Sequence, residues 1–305
     1  MIKKIINIDK YEEIKVFIDE LKNNINNLTI NNTLKYNVEN NNKNYIENNK
    51  QKIIDMFNNN IKGKKYKKTN TKHDGCVGYW LEKLMNIKHN SNNNPDLYGF
   101  EMKKQSRKIS FGDWSASEYL FSKNRKEINK INNHDIKLTK KEFIKTFGNK
   151  NINYESRYSW SGTCVPKYNK WNDRGQKLHI DKENNILVLY SYNYDKQKTK
   201  INIPNELKKN NICIAIWYSS KMKRLVNNKF NQNGFFICKK DNNGIYNKIC
   251  FGKPFNFELF IKNIKLHNII FDSGMYYDNI KLNNRLYQQW RSNNNFWNKL
   301  IIEEF

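Results

Sequence analysis

The sequence is poor in proline, glycine and cysteine, and each shortage excludes a class of protein. Its 305 residues include 4 Pro, 12 Gly and 5 Cys, which is too few for a collagen-like or a disulfide-rich chain. The cysteines are odd in number and widely scattered, with no Cys-x-x-Cys pair. This pattern is typical of free thiols in a reducing, cytoplasmic compartment, and not of a disulfide framework or a zinc site.

Long apolar runs and acidic residues are also scarce. No stretch of about 18 apolar residues occurs, so we expect no membrane-spanning helix and no membrane partner. Acidic residues follow the basic start of the chain too soon for a secretory signal peptide. Aromatic residues, by contrast, make up 14% of the chain, which indicates a folded protein with a substantial core.

The charge is strongly positive. The chain has 55 Lys and Arg against 29 Asp and Glu, a net charge of +26. Such an excess predicts a polyanionic partner, and nucleic acid is the commonest one. AT-rich coding also enriches a chain in lysine, so charge alone does not identify that partner.

The residue pattern predicts a helical N-terminal region and one larger mixed domain. Residues 1–60 are rich in Asn and carry two amphipathic stretches, at 11–21 and 46–57. The Lys-rich segment that follows is interpreted either as a solvated linker or as an arm that contacts phosphates through Lys64 and Lys65.

Helix and strand patterns alternate beyond this segment. Apolar residues at helical spacing predict helices over 77–87 and 255–264. Runs of β-branched and aromatic residues predict strands over 95–103, 186–192, 212–218, 234–239 and 268–272. The order of these helices and strands along the chain predicts an α/β (α+β) domain over 61–305, in which helices flank one mixed central sheet.

One segment carries the residues of a phosphodiester hydrolase. Asp96, Glu101 and Lys103 have the spacing Pro-Asp-x(4)-Glu-x-Lys. On a strand Glu101 and Lys103 project to one side, and Gly99 permits a turn or bulge that brings Asp96 beside Glu101. Two converging carboxylates predict an oxygen site for Mg²⁺, where Lys103 would orient a water or help to deprotonate it. The same residues also fit the solvated face of an ordinary strand.

The stretch from residue 74 to residue 103 resembles the core of PD-(D/E)xK nucleases. It is most similar to the MvaI/BcnI type II restriction endonucleases and, more distantly, to the mismatch-repair nicking enzyme MutH. Two motifs of that family occur in order, Gly-x-x-Gly-x-x-Leu-Glu and Pro-Asp-x(4)-Glu-x-Lys, carried here by Gly75, Gly78, Leu81, Glu82, Asp96, Glu101 and Lys103. The segment over 109–121 departs from the family pattern, so the target sequence is not transferred.

The resemblance has definite implications for fold and site. It implies a restriction-endonuclease-like fold, with Asp96 and Glu101 as ligands of Mg²⁺ and Lys103 as the catalytic lysine. It also implies Glu82 as a supporting carboxylate on the preceding helix.

Two basic and aromatic regions are candidates for DNA contact in the C-terminal half. A turn-rich loop contains Arg157, Lys170 and Arg174, and a later run contains Arg285, Gln288 and Arg291. Arg suits guanine and Gln suits adenine in the major groove, although both regions also fit ordinary surface loops.

The sequence therefore predicts a Mg²⁺-dependent type II restriction endonuclease that cuts double-stranded DNA at a specific site. We expect a monomer or a dimer that functions beside a cognate DNA methyltransferase. Two alternatives stay open, a MutH-like nicking or repair endonuclease and a non-catalytic DNA-binding protein. Paired carboxylates repel phosphate unless a cation intervenes, which argues against the pure binding protein.

Overall fold

The computed structural model describes residues 20–22, 41, 43–67, 75–88, 92–154, 156–280, 284–285 and 287–305. The chain divides into two compact units, Met1–Asp55 and Met56–Phe305. The described residues of the first unit are helical, and the helix over residues 43–60 (α1) includes the predicted stretch 46–57. Most of the other predicted stretch, 11–21, lies outside the described residues. Among the helices that the structure describes, none has the length and apolar character needed to cross a membrane.

The second unit mixes helices and strands along the chain, as predicted. Its helices are α2 (Cys76–Leu84), α3 (Lys126–Asn132), α4 (Lys140–Phe147), α5 (Ser219–Phe230), α6 (Phe257–Lys265) and α7 (Asn294–Lys299). Its strands are β1 (Glu101–Lys104), β2 (Lys108–Asp113), β3 (Glu118–Tyr119), β4 (Asn149–Lys150), β5 (Arg157–Ser161), β6 (Arg174–Ile180), β7 (Ile186–Asp195), β8 (Ile212–Trp217), β9 (Phe235–Lys240), β10 (Tyr246–Gly252), β11 (Ile269–Asp278), β12 (Asn284–Arg285), β13 (Gln288–Asn293) and β14 (Ile301–Glu304).

The described strands form three sheets, whereas the sequence led us to expect one. A mixed sheet has the order β1-β9-β10-β14, with β1 parallel to β9 and the other pairs antiparallel. A second sheet has the order β2-β13-β11-β5-β4, with β12 added to β11, and a third has the order β3-β8-β7-β6. Hydrophobic alternation marks a strand but does not name its partner, so the division into sheets is decided by contacts between distant segments.

The predicted elements agree with the observed ones except before β1. Helices α2 and α6 and strands β7, β8, β9 and β11 occur where the patterns predict them. The predicted strand over 95–103 is observed only from Glu101, because Tyr98 and Gly99 both have positive φ, 49° and 82°. These angles are incompatible with an extended strand and belong to a tight turn.

An aromatic core joins the mixed sheet to the second sheet. Phe111 of β2 is fully buried, and its ring centroid lies 4.6 Å from that of Trp297 on α7. Phe111 also contacts Phe230 at the end of α5, with a centroid distance of 5.5 Å. Trp297 in turn lies 4.9 Å from Phe235 of β9. Such ring contacts stabilise the fold beyond the area they bury, and they hold α5 close to the strands of the mixed sheet.

Candidate active site

A tight turn positions Asp96 at the beginning of β1. Leu97 and Phe100 exchange two backbone hydrogen bonds, with N–O distances of 3.0 and 2.7 Å, and Tyr98 and Gly99 lie between them. A residue with a side chain would be strained at Gly99, because the φ angle is +82° and the Asn233 amide nitrogen, 2.7 Å from the Cβ position, would have to move. The turn reverses the chain, and the Asp96 carboxylate accepts a hydrogen bond of 2.9 Å from the Met102 backbone N–H.

Glu101 and Lys103 lie on the same side of β1, as the alternation of a strand requires. The Lys103 ammonium lies 2.8 Å from the Glu101 Oε1 atom. Both residues are almost completely buried, with 3% and 8% of their surface exposed, so the alternative of a solvated strand face does not hold. The Lys103 Nζ atom also lies 5.1 Å from the centre of the Phe230 ring, which shows that the end of α5 covers this side of the strand.

Lys229 is a site residue that the sequence reasoning missed. It lies near the end of α5, and its ammonium is 3.2 Å from the same Glu101 Oε1 atom. Two cations therefore share one carboxylate oxygen. A weak signal exists in the sequence, since Lys229 borders the buried stripe of Met222, Val226 and Phe230. That spacing predicts a helix face, but it does not connect the helix to β1.

The charges of the site favour the binding of a cation. Burial, and then repulsion by Glu101, raises the pKa of Asp96 to about 7. Burial also lowers the pKa of Lys103. The second oxygen of Glu101, Oε2, is buried and has no hydrogen-bond partner. A buried carboxylate oxygen without a partner is costly, and a bound cation would supply the missing interaction.

Mg²⁺ fits these residues better than a soft metal does. Mg²⁺ binds through one or two carboxylates and keeps several waters, which agrees with Asp96 and Glu101 as the donor set. In the part of the chain that the structure describes, no group of three or more His, Cys, Asp or Glu side chains is placed to hold a metal. Asp96 and Glu101 provide two carboxylates, which are hard oxygen donors.

The predicted supporting carboxylate lies on the neighbouring helix. Glu82 is half-buried on α2, and α2 packs against β1. The supporting role of Glu82 stays a prediction.

The residues predicted to contact DNA lie in different places. Lys64, Lys65 and Lys170 are exposed, whereas Arg174 is half-buried, and an Arg174 Nη1–H donates to the Gly148 carbonyl at 2.7 Å. On the second sheet the Arg157 guanidinium stacks 3.9 Å from the centre of the Tyr276 ring.

The C-terminal run requires a correction. Gln288 is completely buried in β13, so this strand does not present it to a duplex. The alternation of the strand directs Gln289 and Arg291 to the opposite, half-exposed face. There Arg291 pairs with Asp272 at 3.0 Å, and Lys108 lies 3.4 Å from the same Asp272 oxygen. Arg285 forms part of β12.

Comparison with known proteins shows the class of this fold. A solved complex of restriction endonuclease MvaI with its cognate DNA substrate matches 86% of this chain and 97% of that chain, with a TM-score of 0.52 and 14% identity. The chain thus has a restriction-endonuclease-like fold.

Sequence comparison places the chain within that class. The sequence model of the LlaMI restriction endonuclease family matches residues 56–305. The type II restriction enzyme ScrFI of Lactococcus lactis subsp. cremoris is 36% identical over 270 residues, which cover 83% of this chain and 97% of that protein. The chain belongs to the LlaMI restriction endonuclease family and is a site-specific deoxyribonuclease. The predicted fold and class of enzyme are confirmed.

Proposed function

We propose that this enzyme hydrolyses the phosphodiester bonds of duplex DNA with Mg²⁺ held by Asp96 and Glu101. The observation that carries the proposal is the buried, unpartnered Oε2 atom of Glu101 beside a second carboxylate whose pKa is raised to about 7. Without a cation this pair destabilises the fold, since both burial and mutual repulsion oppose ionisation. Mg²⁺, when bound, stabilises the charge that develops on the phosphate.

The residues around the carboxylates have separate roles in this proposal. Lys103 orients the attacking water and takes part in the removal of its proton, since burial lowers the pKa of its ammonium and so favours proton exchange. Lys229 and Lys103 both bind Glu101 Oε1, which leaves Oε2 for the cation. Glu82 supports the site from α2.

DNA contacts complete the proposal. Lys64, Lys65, Arg157, Lys170, Arg174, Arg285 and Arg291 are the proposed contacts with the duplex. We propose that the enzyme works as a monomer or a dimer, in the cytoplasm, beside a methyltransferase that protects the same DNA site.

Arg291 is expected to contribute to target selection. It lies with Gln289 on the half-exposed face of β13, and a guanidinium suits the guanine edge in the major groove. We expect Arg291→Ala to weaken binding of the cognate duplex by about 1–3 kcal/mol and to broaden the cleaved sequences. Sequencing of the cleaved ends tests this, with Arg224→Ala on the exposed side of α5 as the control. Unchanged targets and affinity would remove Arg291 from the interface.

The overall proposal is tested by digestion of mixed genomic DNA and supercoiled plasmid with Mg²⁺ and with EDTA. We expect discrete fragments with Mg²⁺ and none with EDTA, and sequenced ends that share one short motif. Persistent nicks would instead indicate the MutH-like activity. Intact DNA under every condition, from a protein that still binds duplex, would contradict the proposal.

Lys229 is expected to act by positioning Glu101. In Lys229→Met the carboxylate keeps Lys103 but loses its second donor, so we expect cleavage at saturating Mg²⁺ to slow by about 10–100-fold, as for other groups that orient a metal ligand. Lys223→Met is the matched control, because Lys223 lies on the same helix and pairs with Glu258 on the surface. Equal rates for the two variants and the unsubstituted enzyme would show that Lys229 has no role.

The raised pKa of Asp96 predicts how metal affinity depends on pH. Below about pH 7 Asp96 is protonated in the metal-free protein, so a proton must leave before the metal binds. We expect the half-saturating Mg²⁺ concentration to fall by up to about tenfold per pH unit up to about pH 7 and then to level off. Titration of cleavage rate with Mg²⁺ at several pH values measures this. A midpoint near the ordinary pKa of aspartate would contradict it.

A further inference from the structure

The segment that carries Asp96 is anchored by the side chain of Asn93. The Asn93 Nδ2–H group donates to the Leu225 carbonyl at 2.6 Å, and the Asn93 Oδ1 atom accepts from the Trp114 Nε1–H group at 2.9 Å. Leu225 lies on α5, and Trp114 directly follows β2. One half-buried amide therefore ties the chain before Asp96 to two elements that are distant in sequence.

We propose that Asn93 is a positioning residue, which sets the distance between the Asp96 and Glu101 carboxylates that receive the cation. The inference deepens the proposed function and rests on it, because it takes these two carboxylates as the Mg²⁺ site. Asn93 lies outside the Pro-Asp-x(4)-Glu-x-Lys spacing, so the motif gives it no role.

The connection from Asn93 to Asp96 has little conformational freedom. Only Asn94 and Pro95 separate the two residues. The proline ring fixes its own φ angle, and it also restricts the residue before it to extended conformations. A displacement of Asn93 is therefore passed on to Asp96 and is not absorbed by the residues between them.

Helix α5 is a common support for both carboxylates. Lys229 on this helix pairs with Glu101 at 3.2 Å. Leu225, which accepts the hydrogen bond from Asn93, lies four residues earlier on the same helix. Residues four apart share one face of a helix and are separated along its axis by about 6 Å. The helix therefore holds Glu101 through Lys229 and the Asp96 segment through Asn93, at a spacing of about one turn.

Trp114 fixes the other side of the Asn93 amide. The Trp114 side chain is buried. Its backbone N–H donates to the Gln288 carbonyl at 2.9 Å, and its carbonyl accepts from the Trp217 Nε1–H group at 2.7 Å. A buried ring whose backbone is held on both sides moves little, because protein interiors are close-packed. The donor to Asn93 is therefore in place before any metal binds.

The response of Asn93→Ala to Mg²⁺ tests the proposal. This variant loses both hydrogen bonds, so we expect the half-saturating Mg²⁺ concentration to rise by about 10–100-fold, the usual effect of removing a group that orients a metal ligand. The rise should appear in the melting temperature of the protein without DNA as well as in the cleavage rate. Cleavage should recover at saturating Mg²⁺, and duplex binding in EDTA should be unchanged. An unshifted half-saturating concentration would overturn the proposal.

Asn132→Ala is the matched control. Asn132 at the end of α3 is also half-buried, and its amide donates to the Cys213 carbonyl at 3.0 Å and accepts from the Cys213 N–H at 2.8 Å. The control thus loses contacts of the same kind between distant segments, and its half-saturating Mg²⁺ concentration should be unchanged. An equal rise in both variants would overturn the proposal, because the effect would then be a general loss of stability.

Asn93→Asp gives a second test if Asn93→Ala does not fold. Aspartate keeps the shape of the side chain and the acceptor for Trp114, but at about pH 8 it has no proton to donate to the Leu225 carbonyl. Its negative charge by itself would strengthen cation binding, so a rise in the half-saturating Mg²⁺ concentration would come from the lost contact with α5. An equal or lower concentration would overturn the proposal. If the unsubstituted protein shows no response to Mg²⁺, the proposed function fails and this inference fails with it.

Discussion

Asp96→Asn is expected to abolish Mg²⁺-dependent DNA cleavage and, at about pH 8, to raise the melting temperature of the metal-free protein. Asn lacks the negative charge that the cation needs, so hydrolysis loses its charge stabilisation. The Asn oxygen can still accept the hydrogen bond that the Met102 N–H donates to Asp96. The turn before β1 should therefore be preserved.

The pKa of Asp96 determines the pH range in which Asp96→Asn is more stable than the unsubstituted protein. The pKa of Asp96 is raised from 3.8 to about 7 by burial and by Glu101. The folded protein thus holds this proton more tightly than the unfolded chain, and stability falls as the pH rises from about 4 to about 7. The variant has no proton to lose, so its advantage should be present at about pH 8 and absent at about pH 4.

Two measurements make this prediction testable. Melting curves in EDTA at the two pH values give the stability, and plasmid digestion gives the activity. Addition of Mg²⁺ should raise the melting temperature of the unsubstituted protein but not that of Asp96→Asn, because only the former binds the ion. Retained cleavage in Asp96→Asn would remove Asp96 from the site.

Lys103→Met is expected to lower the rate of cleavage by about 10²–10⁴-fold, the range for loss of a group that transfers a proton in the transition state. Met fills the volume beside Phe230 without an ammonium, and Glu101 keeps its ion pair with Lys229. Duplex binding should be unchanged, because the Lys103 side chain is buried. Single-turnover cleavage and binding in EDTA measure the two effects separately.

The mixed sheet contains a matched control for this substitution. Lys239 on β9 and Lys248 on β10 pair with the two oxygens of Glu304, which is partly exposed, so the same sheet has a lysine–glutamate ion pair outside the motif. Lys239→Met removes a lysine of β1's neighbouring strand and should leave the cleavage rate unchanged. If both variants slow cleavage equally, the effect of Lys103→Met is structural and the assigned role is wrong.

Much of the geometry of the candidate active site could be predicted from the sequence because it is local. The spacing Pro-Asp-x(4)-Glu-x-Lys brings Asp96, Glu101 and Lys103 together through one turn and one short strand. Turn chemistry and strand alternation operate over a few residues, so the convergence of these side chains follows from short-range geometry. The same holds for α2, whose helical spacing is visible in the chain.

The parts that sequence reasoning missed depend on contacts between distant segments. Lys229 contacts Glu101 only because α5 packs over β1. The residue pattern of neither α5 nor β1 predicts that contact. In the sequence, Gln288 was a candidate for DNA contact because it is polar and lies near Arg285 and Arg291. The structure buries it, since the pairing of β13 with β11 and β2 decides which face of the strand meets the core.

By itself, then, the sequence determined the class of protein, the mixture of helices and strands, and the three residues of the Pro-Asp-x(4)-Glu-x-Lys motif. Only the tertiary structure decided the division into three sheets, the burial of Glu101 and Lys103, and the approach of Lys229 to Glu101. The physical reason is the range of the interactions. Periodicity and turn preferences act between neighbours in the chain, whereas burial and ion pairing are set by elements that meet only when the whole domain packs.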